Sequence, residues 1–205
     1  MTNTNAERPN ATRLPAAERR RQLLEVALVS FADNGFHGTS MNDVAEAAGV
    51  TKPVLYQHFT SKQALYRELV DDLGASLERA IVDAVADAQG PRQQVEAGFR
   101  AYFRWATAQS SAFRVLFAER NRADEELAAA VFKVESMVAD RVANLIDVVG
   151  LSPDERQVLA YGVVGLAEST SRHWLRIGLG PGADADAFAD RVAQLAWSGL
   201  RGIRL

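Results

Sequence analysis

The hydrophobic positions in the first third of the chain recur at helical spacing, and capping residues interrupt them at short intervals. A first helix is indicated by an apolar stripe at Leu24, Ala27, Leu28 and Phe31. Asn34 and Gly35 should end this helix, because both residue types are common where a chain leaves a helix. A second, short helix should begin after Ser40, whose hydroxyl can cap free amides, and should end before Gly49.

A third short helix follows this glycine turn almost at once. Thr51 can cap it, and Pro53 fits its first turn, where an amide hydrogen is not yet needed. Two helices joined by so tight a turn must cross steeply, which predicts a helix-turn-helix motif. The apolar wedge between them should consist of Val44, Ala45, Ala48, Leu55 and Phe59. The outward face has no acidic residue and carries Thr51, Lys52, Tyr56, Gln57 and His58. Such a face suits the phosphate-lined groove of double-stranded DNA.

Beyond this motif the pattern predicts further helices, without strands or internal repeats. A fourth helix should run from Ser61 toward Gln89 and join two parts of the chain. Later helices should be separated by breaks near residues 90–91, 110–111, 121–124, 150–153 and 178–182. The predicted fold class is therefore all-α. We expect a disordered N-terminal arm over residues 1–12, a three-helix DNA-binding domain over 13–62 and a helical domain over 63–205.

The N-terminal residues resemble the TetR family of bacterial transcription regulators. The resemblance rests on a small polar pair before the second helix, a glycine-hydrophobic turn and a Tyr-x-His-Phe-x-Ser-Lys exit: Thr39 and Ser40, Gly49 and Val50, and Tyr56 to Lys62. It implies that residues 51–58 form the recognition helix. The residues it implies for phosphate contact are Thr39, Thr51, Tyr56, His58 and Lys62, and those for the bases are Lys52, Pro53 and Gln57. Ser40 completes the expected DNA-binding set.

Charge is distributed in a way that allows DNA binding despite a net charge of −3. Residues 1–62 hold seven Lys/Arg and six Asp/Glu, so the excess of acid lies in the remainder of the chain. A basic arm at the start of the first helix could bind phosphates or enter a minor groove. It consists of Arg13, Arg19, Arg20 and Arg21. The alternative for these arginines is a solvated helix face.

The C-terminal part is unusually rich in large rings, which could form core or line an effector pocket. The family resemblance implies a small-molecule pocket among these helices, for which we expect Phe99, Tyr102, Phe103, Phe113, Phe117, Phe132 and Trp174. Many rings and few acids favour an apolar or amphipathic effector. The chain also resembles actinobacterial members that govern lipid metabolism and respond to acyl-coenzyme A. In that case Arg172, Arg176 or Arg114 would bind a phosphate of the coenzyme A. The alternative for Arg172 is an ion pair with Glu168, because the two residues have the i, i+4 spacing of an ordinary helix ion pair.

A homodimer is expected, because one short helix reads few base pairs and two-fold symmetry doubles the site. The resemblance and a small-residue face place the interface on the last two helices, at Gly162, Val163, Leu166, Leu195, Ala196 and Leu200. The resulting hypothesis is a ligand-controlled repressor. Effector binding would favour a wider spacing of the two recognition helices, transmitted by the fourth helix.

Other classes of protein receive little support from the sequence. The chain has no cysteine, its three histidines form no metal-binding pair, and no glycine-rich phosphate loop or nucleophile elbow occurs. We therefore expect no enzyme activity, no metal and no cofactor. No signal-like or membrane-length apolar run is found, so a cytoplasmic location without membrane contact is expected. A helical enzyme, or an interaction module that never meets DNA, remains the alternative.

Overall fold

A computed structural model describes residues 14–117, 124–146, 148–177 and 184–203. The described residues form nine α-helices and no strand. The helices are α1 (Ala16–Gly38), α2 (Met41–Ala47), α3 (Lys52–His58), α4 (Lys62–Ala86), α5 (Pro91–Ala108), α6 (Ser110–Phe117), α7 (Glu125–Leu145), α8 (Pro153–Ile177) and α9 (Ala185–Arg201). The all-α prediction is confirmed. The expected disordered arm and Arg13 lie outside the described residues.

Local capping chemistry explains the short helices of the N-terminal domain. The Ser40 hydroxyl accepts the Asp43 amide while the Asp43 carboxylate accepts the Ser40 amide, a reciprocal capping box. Gly49 has a φ of +65°, which allows the tight turn into α3. Gly35, with a φ of +73°, interrupts α1 one turn before its end at Gly38. The prediction that Thr51 caps α3 is wrong in one respect, because its side chain makes no capping hydrogen bond.

The core of the helix-turn-helix is formed by the residues that helical spacing selected. The five residues of the predicted wedge between α2 and α3, Val44, Ala45, Ala48, Leu55 and Phe59, are all buried. They continue into the inner faces of α1 and α4, which contribute Leu23, Ala27, Phe31, Leu65 and Tyr66. Burying these side chains supplies the main stabilisation of a motif whose helices are too short to be stable alone.

The C-terminal domain is a bundle in which α5 packs between α4 and α9, and α7 between α4 and α8. Two bidentate ion pairs join α5 to α9: Arg100 Nε lies 2.5 Å from Asp190 Oδ1, and Arg104 Nε lies 2.8 Å from Asp186 Oδ1. The helices α4 and α7 approach closely at Gly74, where Val134 fills the space that a side chain would need. No helix in the described part of the chain is long and apolar enough to cross a membrane.

The two domains meet where α6 packs on α1 and α4. The Tyr66 hydroxyl donates to the Val115 carbonyl oxygen at 3.2 Å, and its ring packs edge-on against Phe31 and Phe36. On the surface beside them, Arg114 lies 3.1 Å from Asp33. Helix α6 therefore contacts both α1 and α4, the two helices that flank α2 and α3 in the chain.

Candidate DNA-reading surface and effector cavity

Helix α3 turns its polar residues outward, as the sequence predicted. Lys52, Pro53, Tyr56 and Gln57 are exposed, whereas Leu55 is fully buried and anchors the helix. The Lys52 ammonium lies 6.0 Å from the centre of the Tyr56 ring, so the two side chains share one face. This face can offer hydrogen-bond donors and positive charge to a groove.

Thr39, predicted to contact a phosphate, is buried in this structure. Its side-chain oxygen lies 2.9 Å from the Gly35 carbonyl oxygen and 3.0 Å from that of Ser30, which is the geometry of a donor to the end of α1. The residue is only 2 % exposed. The single hydroxyl hydrogen is thus used inside the domain, and the expectation that this group holds a phosphate needs correction.

Lys62 has a structural role that the sequence analysis missed. Its Nζ atom donates to the carbonyl oxygens of Phe36 and Thr39, each at 2.8 Å, and lies 4.3 Å from the centre of the Phe36 ring. These carbonyls belong to the C-terminal end of α1, where a cation is favourable. An ammonium group has three hydrogens, so a phosphate contact by Lys62 remains a prediction that uses the third.

Arg20, expected in the basic arm, instead holds the recognition helix in place. Its guanidinium pairs with both carboxylate oxygens of Glu68 and donates to the His58 carbonyl oxygen at 2.5 Å, at the end of α3. It also lies 4.3 Å above the Phe59 ring. The hydrogen bond to Glu68 and the negative charge of Glu68 raise the pKa of Arg20 above its usual value. Of the other described arginines of the arm, Arg19 bonds to Gln22 and Arg21 faces Glu25 on the surface.

An apolar cavity of about 390 Å³ lies within the C-terminal domain, enclosed by α4, α5, α7, α8 and α9. This volume falls in the range of natural small-molecule sites. Its wall is mostly aliphatic and is formed chiefly by Ile81, Val85, Val95, Phe99, Tyr102, Val138, Val142, Leu145, Ile146, Val163, Val164, Ala167, Trp197 and Leu200. The cavity runs along α5 from Pro91 to Tyr102, a rise of about 16 Å at 1.5 Å per residue.

Only two of the seven rings predicted for the pocket, Phe99 and Tyr102, line this cavity. The other five are corrected as follows. Phe103 and Trp174 are core residues that pack on Phe188, with ring centres 5.5 and 4.7 Å away. Phe113 and Phe117 stack on each other in α6, beyond Tyr102. Phe132 is 58 % exposed and stacks over Tyr161 on the outer surface.

Sequence reasoning missed the aliphatic residues of the wall and Trp197. Their spacing on α7 and α8 is that of ordinary core positions, so no local signal separates a valine facing a cavity from one facing a neighbour. Trp197 stands near the mouth with Arg201, whose guanidinium lies 6.0 Å from its ring centre. A shallow depression beside the mouth adds Arg92, which is bonded to Glu96.

None of the three arginines considered for an acyl-coenzyme A phosphate lines this cavity. Arg172 pairs with Glu168 within α8, as the helical spacing indicated. Arg114 faces Asp33 across the domain junction, and Arg176 lies beside His173. Among the described residues, Arg201 is the cationic side chain at the cavity wall.

The surface of α8 and α9 matches the predicted dimer interface only in part. Gly162 is exposed with open space around it, Leu166 is half-buried and Leu195 is 62 % exposed. The other three positions point inward: Ala196 is buried, and Val163 and Leu200 line the cavity. Val158, 72 % exposed, extends the apolar strip on α8 one turn before Gly162. The strip available to a partner is therefore narrower than the predicted one.

The described residues contain no group of three or more His, Asp or Glu side chains that could hold a metal ion. The polar residues that line the cavity in the described part of the chain are Gln94, Tyr102 and Arg201. The described residues thus form an exposed helix that carries hydrogen-bond donors and a mostly apolar cavity.

Comparisons with known proteins identify a family of bacterial regulators. Residues 23–69 match the model of the family described as bacterial regulatory proteins, tetR family. The transcriptional activator FasR of Mycolicibacterium smegmatis is 33% identical over 194 residues, which is 94% of this chain and 88% of that protein. The crystal structure of a TetR-like transcriptional regulator from Rhodococcus sp. RHA1 is 27% identical with a TM-score of 0.77, covering 93% of this chain and 100% of that one.

A further solved structure shares the fold. The regulator FadR of Bacillus subtilis, solved in complex with stearoyl-CoA, has a TM-score of 0.73 over 90% of this chain and 99% of that one, at 17% identity. At this identity the similarity shows a shared fold. The match to the family model and the similarity to FasR show a transcriptional regulator rather than an enzyme. The chain belongs to the TetR family of bacterial transcriptional regulators.

Proposed function

We propose that this protein is a repressor whose dimer binds a near-palindromic operator and is released by a long-chain acyl-coenzyme A. The observation that carries the effector class is the cavity of about 390 Å³, whose wall is almost entirely aliphatic and aromatic. A site of this kind gains affinity from hydrocarbon and would leave a sugar or a small cation without partners.

The position of charge supports an amphipathic ligand with its head group at the mouth. The inner wall at Val138, Val164 and Ala167 is apolar, whereas Arg201 stands near the opening beside Trp197. A hydrocarbon chain would lie along α5, and a phosphate-bearing head group would reach Arg201 and solvent. The solved complex of the Bacillus subtilis regulator with stearoyl-CoA supports this choice among amphipathic ligands.

Release from DNA would follow from the connection between the cavity and α1. Tyr102 lines the cavity and packs on Phe113 and Phe117, with ring centres 6.4 and 6.3 Å away. These rings belong to α6, which bonds to Tyr66 and Asp33 at the domain junction. A ligand that displaces α6 thus shifts the helix that carries the recognition helix. By linkage, ligand and operator must weaken each other by the same factor.

On DNA, we propose that Lys52, Pro53 and Gln57 face the bases while Thr51, Tyr56, His58 and Lys62 face phosphates. The exposure of α3 and the absence of acid on it support this assignment. The two-fold partner would use the narrow strip of Val158, Gly162, Leu166 and Leu195, where the glycine allows close approach of helices.

The test is fluorescence anisotropy of labelled DNA from the region upstream of this protein's own gene, with excess random DNA as competitor. Palmitoyl-CoA is then added, with acetyl-CoA as the control that has the same head group and no long chain. We expect competitor-resistant binding that palmitoyl-CoA reverses and acetyl-CoA leaves intact. Equal effects of the two thioesters would refute the hydrocarbon-binding role of the cavity.

A cavity-filling variant tests whether the ligand acts from within this cavity. Gly98 lies on the cavity wall in α5, and a side chain there would contact Val85 at ordinary distance, 3.8 Å for the first carbon. We expect Gly98→Leu to keep operator affinity and lose the palmitoyl-CoA response. A variant that still responds would place the ligand elsewhere.

A further inference from the structure

The inner end of the cavity adjoins a buried polar cluster. Tyr102 is the last residue of α5 that lines the cavity, Ala167 is the last of α8, and both are buried. One turn beyond Ala167, on the same face of α8, lies Ser171, which is 1 % exposed. The next buried residue on this face is Trp174, whose contact with Phe188 closes the interior. The cluster thus stands between the apolar cavity and an aromatic core.

Two hydroxyl groups of this cluster have no hydrogen-bond partner among the described residues. They are the phenol of Tyr102 and the side chain of Ser171, and both are inaccessible to bulk solvent. A buried hydroxyl without a partner is costly, and native proteins rarely leave one unsatisfied. A polar group on a molecule that occupies the neighbouring cavity would supply the missing partner.

The charged residues around Tyr102 define which ligand group fits. Glu168 and Arg172 form an ion pair within α8, and both act electrostatically on the Tyr102 hydroxyl, as does Glu135 of α7. Burial, followed by the charge of Glu168, raises the pKa of Tyr102 well above its usual value. Tyr102 therefore keeps its proton and offers a hydrogen-bond donor to an oxygen acceptor. The carboxylates of Glu168 and Glu135 disfavour an anion at this place and Arg172 disfavours a cation, so an uncharged oxygen fits it.

We propose that this cluster is a polar subsite that recognises a hydroxyl or carbonyl oxygen at the far end of the effector's hydrocarbon. This inference rests on the proposed function, because it assumes that hydrocarbon occupies the cavity. The preferred effector is then an oxygenated acyl chain rather than a plain one. Its inner oxygen accepts from Tyr102 and, where it is a hydroxyl, donates to Ser171. A plain chain fills the same apolar wall but leaves both protein hydroxyls unpaired.

The test compares ω-hydroxy acyl-coenzyme A thioesters with their unmodified parents at lauroyl, myristoyl and palmitoyl length. Dissociation constants are measured by calorimetry on the full-length dimer. One satisfied buried hydrogen bond corresponds to roughly ten-fold in affinity, so we expect this preference for the ω-hydroxy ligand at the length that reaches Tyr102. Parents that bind as tightly as their hydroxy forms at all three lengths would overturn the subsite and leave the proposed function standing. No binding by any of the thioesters would overturn both.

The variant Tyr102→Phe separates recognition from packing, because it removes one oxygen and keeps the ring against Phe113 and Phe117. We expect it to abolish the preference for the ω-hydroxy ligand while the parent thioester binds at least as tightly as before. The matched control is Tyr161→Phe, whose hydroxyl bonds to Ser136 at 2.7 Å and which does not line the cavity. That control should retain the full preference. Equal loss of affinity for both ligands in Tyr102→Phe would assign Tyr102 to packing alone and overturn the inference.

Discussion

Replacing Lys62 by methionine tests the claim that this residue holds the helix-turn-helix together from inside. The substitution keeps most of the apolar stem and removes the ammonium. It deletes two charge-assisted hydrogen bonds to the carbonyls of Phe36 and Thr39 and the contact with the Phe36 ring. Between fully buried groups these interactions would contribute about 4 kcal/mol. Because the Lys62 side chain is only half-buried, we expect a loss of about 2 kcal/mol.

The assay is urea unfolding followed by circular dichroism, at a fixed protein concentration because the protein is expected to be a dimer. The matched control is Lys133→Met, which removes a single surface pair with Asp71 from a lysine side chain that is 72% exposed. That variant should lose at most about 0.5 kcal/mol. A Lys62→Met variant no less stable than the control would refute the argument and return Lys62 to a role in DNA contact only.

Three further predictions concern other parts of the molecule. Lys52→Ala or Gln57→Ala should each cost about 1 to 3 kcal/mol of binding on the operator and little on random DNA; equal losses on both would remove these residues from base reading. Gly74→Ala should destabilise the fold by about 1 to 3 kcal/mol in thermal melts, since the new methyl carbon would lie 2.6 Å from the Val134 side chain. Adding Val134→Ala to this variant should restore part of the lost stability. A hydrogen bond from Arg104 lowers the pKa of Asp186, so this ion pair stabilises the fold at pH values above the unfolded pKa of Asp186, and the stabilisation is lost as pH falls through the lowered pKa. Asp186→Asn should therefore cost about 0.5 kcal/mol of folding stability at neutral pH and nothing in strong acid. A loss of stability that does not depend on pH would contradict this account.

The family assignment changes how the acidic composition is understood. The net charge of −3 would argue against a DNA-binding protein if charge were spread evenly. Helix α3 has no acid in its first turn, and two acids of the C-terminal domain, Asp186 and Asp190, are neutralised by Arg104 and Arg100. We therefore expect DNA binding to depend on the local positive field of α3 in each protomer. We expect affinity to fall as salt rises, with a slope set by the number of phosphates held.

Local sequence signals were sufficient to predict the short helices and the helix-turn-helix motif. The capping box at Ser40, the turn at Gly49 and the proline in the first turn of α3 act over three or four residues, so a reader of the sequence can evaluate them without knowing the fold. Periodicity likewise selects Val44 and Leu55 as core, because a short helix has only one face to bury.

The roles of individual polar residues required the tertiary structure. Lys62 follows a helix N-terminus in sequence, where a cation is unfavourable, yet it lies against the end of α1, which is 23 residues away at Thr39. Arg20 looks like part of a basic arm, yet Glu68 and the end of α3 surround it. Sequence distance conceals both partners, because each contact forms only when two helices cross.

The cavity shows most clearly which features the sequence predicts and which depend on tertiary packing. The sequence by itself determined that this is an all-helical, two-part regulator with a DNA-reading helix and a surplus of apolar residues behind it. Which apolar residues face a void was decided by the packing of α4, α5, α7, α8 and α9, because a cavity arises where neighbouring helices fail to fill the space between them. Phe103 and Phe99 are alike in sequence, but only Phe99 borders that space.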